Sequence, residues 1–264
     1  MPRFLLINPR AGAPTPDVDA LVRAASELDV RCHLLSNDDD PAELARQAAP
    51  GALGIAGGDG SLAAVAAVAV DRDLPFVCIP FGTRNHFARD LGLDRGDPFG
   101  ALGGFDGVER RIDVGRVGKR LFLNNVSLGV YAGLVHQREH HRRRGEALAG
   151  LRALKRIAAD RHRLHARLDG EPLTTRILLV ANNRYEVDLF TLGERVSLEE
   201  GRLHVYAAHG WLPRHWSNRG AEGFELELDA PNVRAAIDGE PTVLEPPLVF
   251  ASLPRSLRVL VPPA

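Results

Sequence analysis

The stretch Gly57-Gly58-Asp59-Gly60-Ser61 limits most severely what this chain can become. A short apolar segment, Gly54-Ile55-Ala56, runs into it, and an Ala- and Val-rich run from Leu62 to Val70 leaves it. That order predicts a strand, a tight turn and a helix start. Glycines put no Cβ between backbone N–H groups and a ligand. A helix start adds unpaired N–H donors and a partial positive charge. A phosphate group suits that geometry. Asp59 cannot itself attract phosphate, so its carboxylate is better suited to a Mg²⁺ ion or the water around one. A tight turn with no ligand is the plainer alternative, because one glycine-rich loop is a weak signal.

The flanking segments decide the fold class. Phe4 to Ile7 is a short, fully apolar run of the kind a buried parallel strand shows, and it ends at Asn8-Pro9-Arg10-Ala11-Gly12. Asp17 to Leu28 carries Val18, Leu21, Val22, Ala25 and Leu28 at helical spacing. Val30 to Leu35 reads as the next strand, closing at Ser36-Asn37, and Asp40-Pro41 opens a second helix. Pro75 to Ile79 is a fourth strand, ending at Pro80-Phe81-Gly82-Thr83-Arg84-Asn85. The alternation predicts an α/β doubly wound parallel sheet, whose ligands lie past the carboxyl ends of the strands. Asn8, Ser36, Gly57 to Ser61, and Thr83 to Asn85 all fall at such ends.

After about residue 110 the pattern changes. Arg111 to Val117 and Arg120 to Asn124 read as a hairpin around Gly118-Lys119. Short strands follow at Thr175 to Ala181, Arg202 to Ala208, Gly223 to Leu228, Val233 to Ile237 and Leu257 to Val261. A β-rich sandwich is expected, interrupted by one helical stretch near 132–163. The expected division is an α/β nucleotide-binding domain over 1–110, joined by 255–264 if the last strand returns to it, and a β-rich substrate domain over 111–254.

Composition narrows the function. A net charge of −1 offers no general attraction to nucleic acid. The two cysteines, Cys32 and Cys78, lie in apolar segments and read as core residues of a reducing compartment. The N-terminus enters a strand at once, with no signal-peptide layout, and the run from Leu62 to Val70 is too short to cross a bilayer. A cytoplasmic protein is expected.

Other patterns carry less. Gly58 to Ala63 fits the dinucleotide fingerprint formally, but the next strand ends in Pro80-Phe81-Gly82 with no acid for a ribose. Asn125-Val126-Ser127-Leu128-Gly129 is a near miss to a nucleophile elbow, so Ser127 reads as structural or substrate-side. His140, His141, His162 and His165 lie among arginines, whose charge opposes a metal ion; a solvated basic face fits better. Leu148, Leu151, Leu154 and Ile157 in that stretch suit either a helix on an anionic membrane or one packed on the sandwich. Ile237-Asp238-Gly239-Glu240 is either a surface hairpin turn or a turn that brings one carboxylate to the crevice as general base.

Four motifs in order are more specific than any one of them. Asn8-Pro9-x-x-Gly12, Gly57-Gly58-Asp59-Gly60-Ser61, Pro80-Phe81-Gly82-Thr83-x-Asn85-x-Phe87-Ala88-x-x-Leu91-Gly92 and Asp238-Gly239-Glu240 together resemble the diacylglycerol kinase catalytic-domain family. That family includes bacterial lipid kinases and sphingosine kinases and is related to NAD kinases and phosphofructokinases. The resemblance implies a two-domain lipid kinase that uses ATP and Mg²⁺. It implies that Gly57, Gly58, Asp59, Gly60 and Ser61 cradle the nucleotide phosphates, and that Asn8, Ser36, Thr83 and Asn85 line the nucleotide site. Glu240 would accept the proton of the lipid hydroxyl, and Asp59 would order the catalytic Mg²⁺. Glu200, in the turn Leu198 to Leu203, falls where the family often holds a structural Mg²⁺. Ser61 stands for the family's usual Thr, Ala63-Ala64 for Asn-Glu, His86 for Asp in the Gly-Thr-x-Asn-Asp run, and Tyr131 for an Asp after Gly129. The implied acceptor is diacylglycerol or a similar lipid, met at the inner face of a membrane, with no nucleic-acid partner; a homodimer stays open. The alternatives are a kinase for another alcohol, sphingoid or soluble, and a nucleotide-binding pseudokinase.

Overall fold

A computed structural model describes residues 2–11, 17–48, 51–82, 85–129, 163–187, 192–209 and 215–263. Two compact units divide the chain: Met1–Val114 with Pro254–Ala264, and Gly115–Leu253.

The first unit alternates as its apolar runs require. β1 (Arg3–Ile7), α1 (Val18–Glu27), β2 (Val30–Leu34), α2 (Pro41–Gln47), β3 (Ala52–Gly57), α3 (Asp59–Asp71) and β4 (Pro75–Pro80) follow one another, then the short helices α4 (His86–Asp90) and α5 (Pro98–Leu102). The strands lie in the order β2-β1-β3-β4, all parallel. The end of the last strand returns here and pairs parallel with β4, Arg258 opposite Pro75 and Val259 opposite Phe76. Every residue of β3 is buried, which is why it has no polar alternation. Asp17 caps α1 by accepting from Asp19 N–H, and Asp40 caps α2 by accepting from Ala42 and Glu43 N–H. α3 differs: it packs on β3, β4 and α2 and buries Leu62, Val65, Ala66, Val68 and Ala69, so apolar residues surround more than one face.

β5 (Val108–Val117) leads into the second unit. β6 (Arg120–Phe122), β7 (Asn125–Gly129), β8 (Leu164–Leu168), β9 (Glu171–Thr175), β10 (Ile177–Asn182), β11 (Tyr185–Val187), β12 (Leu192–Arg195), β13 (Leu203–His209), β14 (His215–Ala221), β15 (Gly223–Leu228), β16 (Val233–Ile237), β17 (Glu240–Leu244) and β18 (Leu248–Val261) complete it. One antiparallel sheet has the order β14-β13-β10-β7-β16-β17. The start of β18, with β15, β8 and β9, forms antiparallel pairs in a second. Val126, Leu128, Leu178, Val180 and Val205 of one sheet share a core with Leu168, Phe224, Leu226 and Phe250 of the other. The rings of Phe224 and Phe250 stack at 4.9 Å. This is a sandwich.

An α/β parallel sheet followed by an antiparallel β-rich half is the class that the sequence predicts. Details differ. The run Thr175 to Ala181 is two strands: β9 ends at Thr175 and β10 begins at Ile177. The helical stretch near 132–163, its histidines up to His162, and Tyr131 lie outside the described residues. Among the described residues, no helix is long and apolar enough to cross a membrane.

Candidate functional site

In the first unit the carboxyl ends of β1, β2, β3 and β4 carry the residues singled out above. β3 hands over to α3 at Gly58, an extended N-cap with φ −85° and no side chain capping the helix. The first N–H to bond back belongs to Ser61, 3.0 Å from the Gly58 carbonyl. The N–H groups of Asp59 and Gly60 precede it and have no partner inside the helix. A Cβ at Gly58 would meet only the Gly82 Cα, at 3.9 Å, whereas one at Gly82 would lie 2.6 Å from the Gly58 Cα. The two loops therefore approach backbone to backbone. A side chain at Gly82 would force them apart, and Gly58 keeps open the space before the helix.

Side chains fasten neighbouring loops to this turn. Asn8 N–H donates to the Ala56 carbonyl at 2.8 Å, continuing the β1–β3 ladder. Its Oδ1 accepts from Arg10 N–H at 3.1 Å, which leaves Nδ2 to donate to Ser61 Oγ at 3.2 Å. Because that hydroxyl oxygen accepts from Asn8, its proton points elsewhere. Arg10 Nη2 donates to the Ser36 carbonyl at 2.9 Å. Ser36 N–H donates to Asp39 Oδ2 at 2.7 Å, and His33 Nε2 lies 3.1 Å from the same oxygen. The Ser36 N–H first, then the His33 side chain, hold the Asp39 carboxyl below the usual range. Asp59 points its carboxylate at the start of α4, accepting from His86 N–H at 3.2 Å and from Phe87 N–H at 3.1 Å. Beneath it, burial first and the Asp59 charge second push the Cys78 thiol far up.

Asn85 is buried and left-handed, with φ 49°. Its Oδ1 accepts from Gly82 N–H at 2.8 Å and its Nδ2 donates to the Gly82 carbonyl at 2.9 Å, so the side chain shapes the loop. Thr83 lies outside the described residues. Asn8, Ser36, Gly57 to Ser61 and Asn85 are brought together on one edge. Arg10 and Asp39 join them and were not singled out as site residues; an Asp three positions after Ser36 is the one local signal of that turn.

The second unit separates the two late carboxylates. Asp238 (φ 48°) and Gly239 (φ 84°) form a two-residue turn with Ile237 opposite Glu240, the left-handed pair that closes a twisted hairpin. Asp238 is buried, and its carboxylate accepts from Leu123, Asn124 and Asn125 N–H at 2.8, 2.7 and 3.0 Å. Glu240 begins β17 and is exposed. Arg195 grips the same 123–125 bend, with Nη1 on the Leu123 carbonyl at 2.8 Å and Nη2 on Asn124 Oδ1 at 2.7 Å. Ser127 is buried in mid-strand, opposite Leu179 and Ala236, and so does not itself sit at a turn.

Glu200, where the resemblance expects a structural metal, has both carboxylate oxygens beside protein nitrogens. Glu200 Oε2 accepts from Arg184 N–H at 3.0 Å, and Oε1 lies 3.0 Å from His204 Nε2. Among the described residues, no group of three or more His, Cys, Asp and Glu side chains could hold a metal ion.

Comparisons with known proteins agree with this architecture. Residues 2–117 match the family described as the diacylglycerol kinase catalytic domain. A protein of Pseudomonas fluorescens (strain Pf-5) named "Probable lipid kinase YegS-like" is 35% identical over 134 residues, 48% of this chain and 44% of that protein. The chain thus matches less than half the length of that curated relative. The structure of a diacylglycerol kinase from Bacillus anthracis str. Sterne superposes with a TM-score of 0.72 at 14% identity, covering 99% of this chain and 97% of that one. Another structure from that organism gives 0.75 at 15%, with the same coverage. At such identities the structures establish likeness of fold. The match to the diacylglycerol kinase catalytic-domain family thus spans residues 2–117, which take in the first unit up to Val114 and the end of β5.

Proposed function

We propose that this protein is an ATP-dependent lipid kinase, a transferase that moves the γ-phosphoryl group of ATP to the hydroxyl of diacylglycerol or a similar lipid at a membrane surface. The observation that carries the reading is the uncapped start of α3. Two N–H groups there lack helix partners, no Cβ intrudes at Gly58, and the Ser61 proton is left to donate. A triphosphate fits such a donor set without a Walker lysine. In this reading Asp59 and Gly60 N–H and the Ser61 hydroxyl hold phosphate oxygens, and Asn8, Ser36 and Thr83 line the nucleotide site. Asn85 holds the Gly82 loop in shape.

Bound together with ATP, Mg²⁺ would supply charge neutralisation at the phosphates. Such an ion keeps several of its own waters, and Asp59, whose two oxygens already accept from His86 and Phe87 N–H, would order those waters without being a direct ligand. Glu240 accepts the hydroxyl proton of the lipid, a role Asp238 cannot take because three N–H donors already hold its carboxylate.

The test is transfer of labelled γ-phosphate from ATP to mixed-lipid vesicles containing diacylglycerol, run beside Glu240→Gln. The expected result is a phosphorylated lipid, with the variant slowed about 10²–10⁴-fold. Transfer that the variant leaves untouched removes Glu240 as the base. A nucleotide-binding pseudokinase is the second reading, favoured by His86 in place of the family's Asp and by the engagement of Asp59 with His86 and Phe87 N–H. Bound ATP with no transfer to a lipid, sphingoid or soluble alcohol would select it.

A further inference from the structure

The surroundings of Glu200 explain how the second unit holds the turn where the resemblance expects a metal. His204 lies on β13 with 7% of its surface exposed. One ring nitrogen, Nε2, is 3.0 Å from Glu200 Oε1, and the other, Nδ1, is 3.0 Å from Asn218 Oδ1 on β14. Gly220 faces His204 across the strand pair. A Cβ there would lie 3.2 Å from the ring's Cε1, so a missing side chain makes the room that the imidazole fills. Tyr206 stacks on the ring at 6.2 Å, and its hydroxyl is 3.0 Å from both Tyr185 N–H and the Tyr185 carbonyl. Arg184 N–H takes the remaining Glu200 oxygen at 3.0 Å.

A hard divalent cation takes six or more oxygen ligands, several of them its own waters. Here one carboxylate oxygen faces an imidazole and the other a backbone N–H. An N–H donor and a metal both satisfy the lone pairs of a carboxylate, so either can close the turn. The site holds the donor.

We propose that His204 takes the place of a structural metal in this chain. The hydrogen-bonded series Arg184–Glu200–His204–Asn218 ties the 197–203 turn to β13 and β14, and the turn binds no divalent cation. This concerns the folding of the second unit and stands whether or not the chain transfers phosphate.

The test uses the full chain without nucleotide. Thermal unfolding is followed in EDTA and in millimolar Mg²⁺ or Ca²⁺, and metal retained through gel filtration is measured by elemental analysis. The expected results are one Tm in all three solutions and no stoichiometric metal. His204→Gln and Glu200→Gln should each lower Tm by several degrees, equally with and without cation. Stoichiometric Mg²⁺ or Ca²⁺ on the unaltered chain overturns the proposal, as does a Tm that falls in EDTA and returns with the ion. The metal measurements need no variant, so they decide the question even if a variant fails to fold. Because nucleotide and lipid are absent throughout, an inactive kinase would leave every readout unchanged.

Discussion

Asp59 and Phe87 are joined by a hydrogen bond of 3.1 Å from the Phe87 N–H to a carboxylate oxygen, and the second oxygen takes the His86 N–H at 3.2 Å. The one acid of the glycine turn therefore caps the helix that follows the next strand. Asp59→Ala removes both acceptors. A lost cap costs about 1 kcal/mol, or roughly 2–4 °C of Tm in a chain of this size. Asp59→Asn keeps one acceptor and should lose less. Calorimetry of the two variants checks the order, and nucleotide affinity should fall in the same order.

Gly58 and Gly82 face one another but differ in what they tolerate. Gly58→Ala adds a methyl to open space, with only the Gly82 Cα at 3.9 Å. It should keep its Tm and lose nucleotide binding, because the methyl stands where the ligand approaches. Gly82→Ala drives a methyl to 2.6 Å from the Gly58 Cα and should lower both Tm and binding. Calorimetry beside a fluorescent nucleotide titration separates them. A Gly58→Ala protein that binds nucleotide normally would remove the phosphate site.

The carboxylates two residues apart at Asp238 and Glu240 should separate stability from activity. Asp238→Ala leaves two buried N–H groups and one half-buried one without this acceptor and should cost at least ~2 kcal/mol. Glu240→Gln alters an exposed side chain and should move the denaturant midpoint far less than Asp238→Ala does, while slowing transfer about 10²–10⁴-fold. Urea unfolding of the two variants is the measurement.

Glu109 predicts a small dependence of stability on acid. A hydrogen bond from Arg258, with Nη2 2.7 Å from Oε2, holds the Glu109 carboxyl below its usual range. The folded chain binds that proton less tightly than the unfolded chain does. The contribution is therefore complete above the ordinary carboxylate pKa and disappears as pH falls through the lowered value. The pair is partly exposed, which limits it to about 0.2–1 kcal/mol. Arg258→Gln should lower stability by that amount near neutrality and by progressively less as pH falls through the lowered value, which flattens the low end of a Tm-versus-pH curve.

Periodicity and capping made the first unit readable from its residues. Buried parallel strands need continuous apolar runs, as in β3, and Asp17 and Asp40-Pro41 mark helix starts by local chemistry. The second unit was readable where strands alternate, as in Gly223–Leu228 with its alternately buried residues. β14, with the sequence HWSNRGA, has no such alternation and exists because β13 pairs with it. β8, whose buried residues alternate over Leu164–Leu168, directly follows the stretch expected to be helical. No strand was expected there.

What the residues determined alone is the class of fold, the glycine turn at a strand end, and the identity of the groups that could meet a phosphate. What only the tertiary structure decided is how those groups spend their hydrogen bonds. Asp238 and Glu240 look equivalent in a sequence, yet one is locked by three N–H groups more than a hundred positions earlier in the chain. The resemblance puts Glu200 at a metal position, and only the folded chain shows His204 Nε2 and Arg184 N–H at its two oxygens. Strand and helix signals are local, set by side-chain period and caps within a few residues. A carboxylate's role depends on the donors that distant segments bring to it, and their placement is a property of the folded chain.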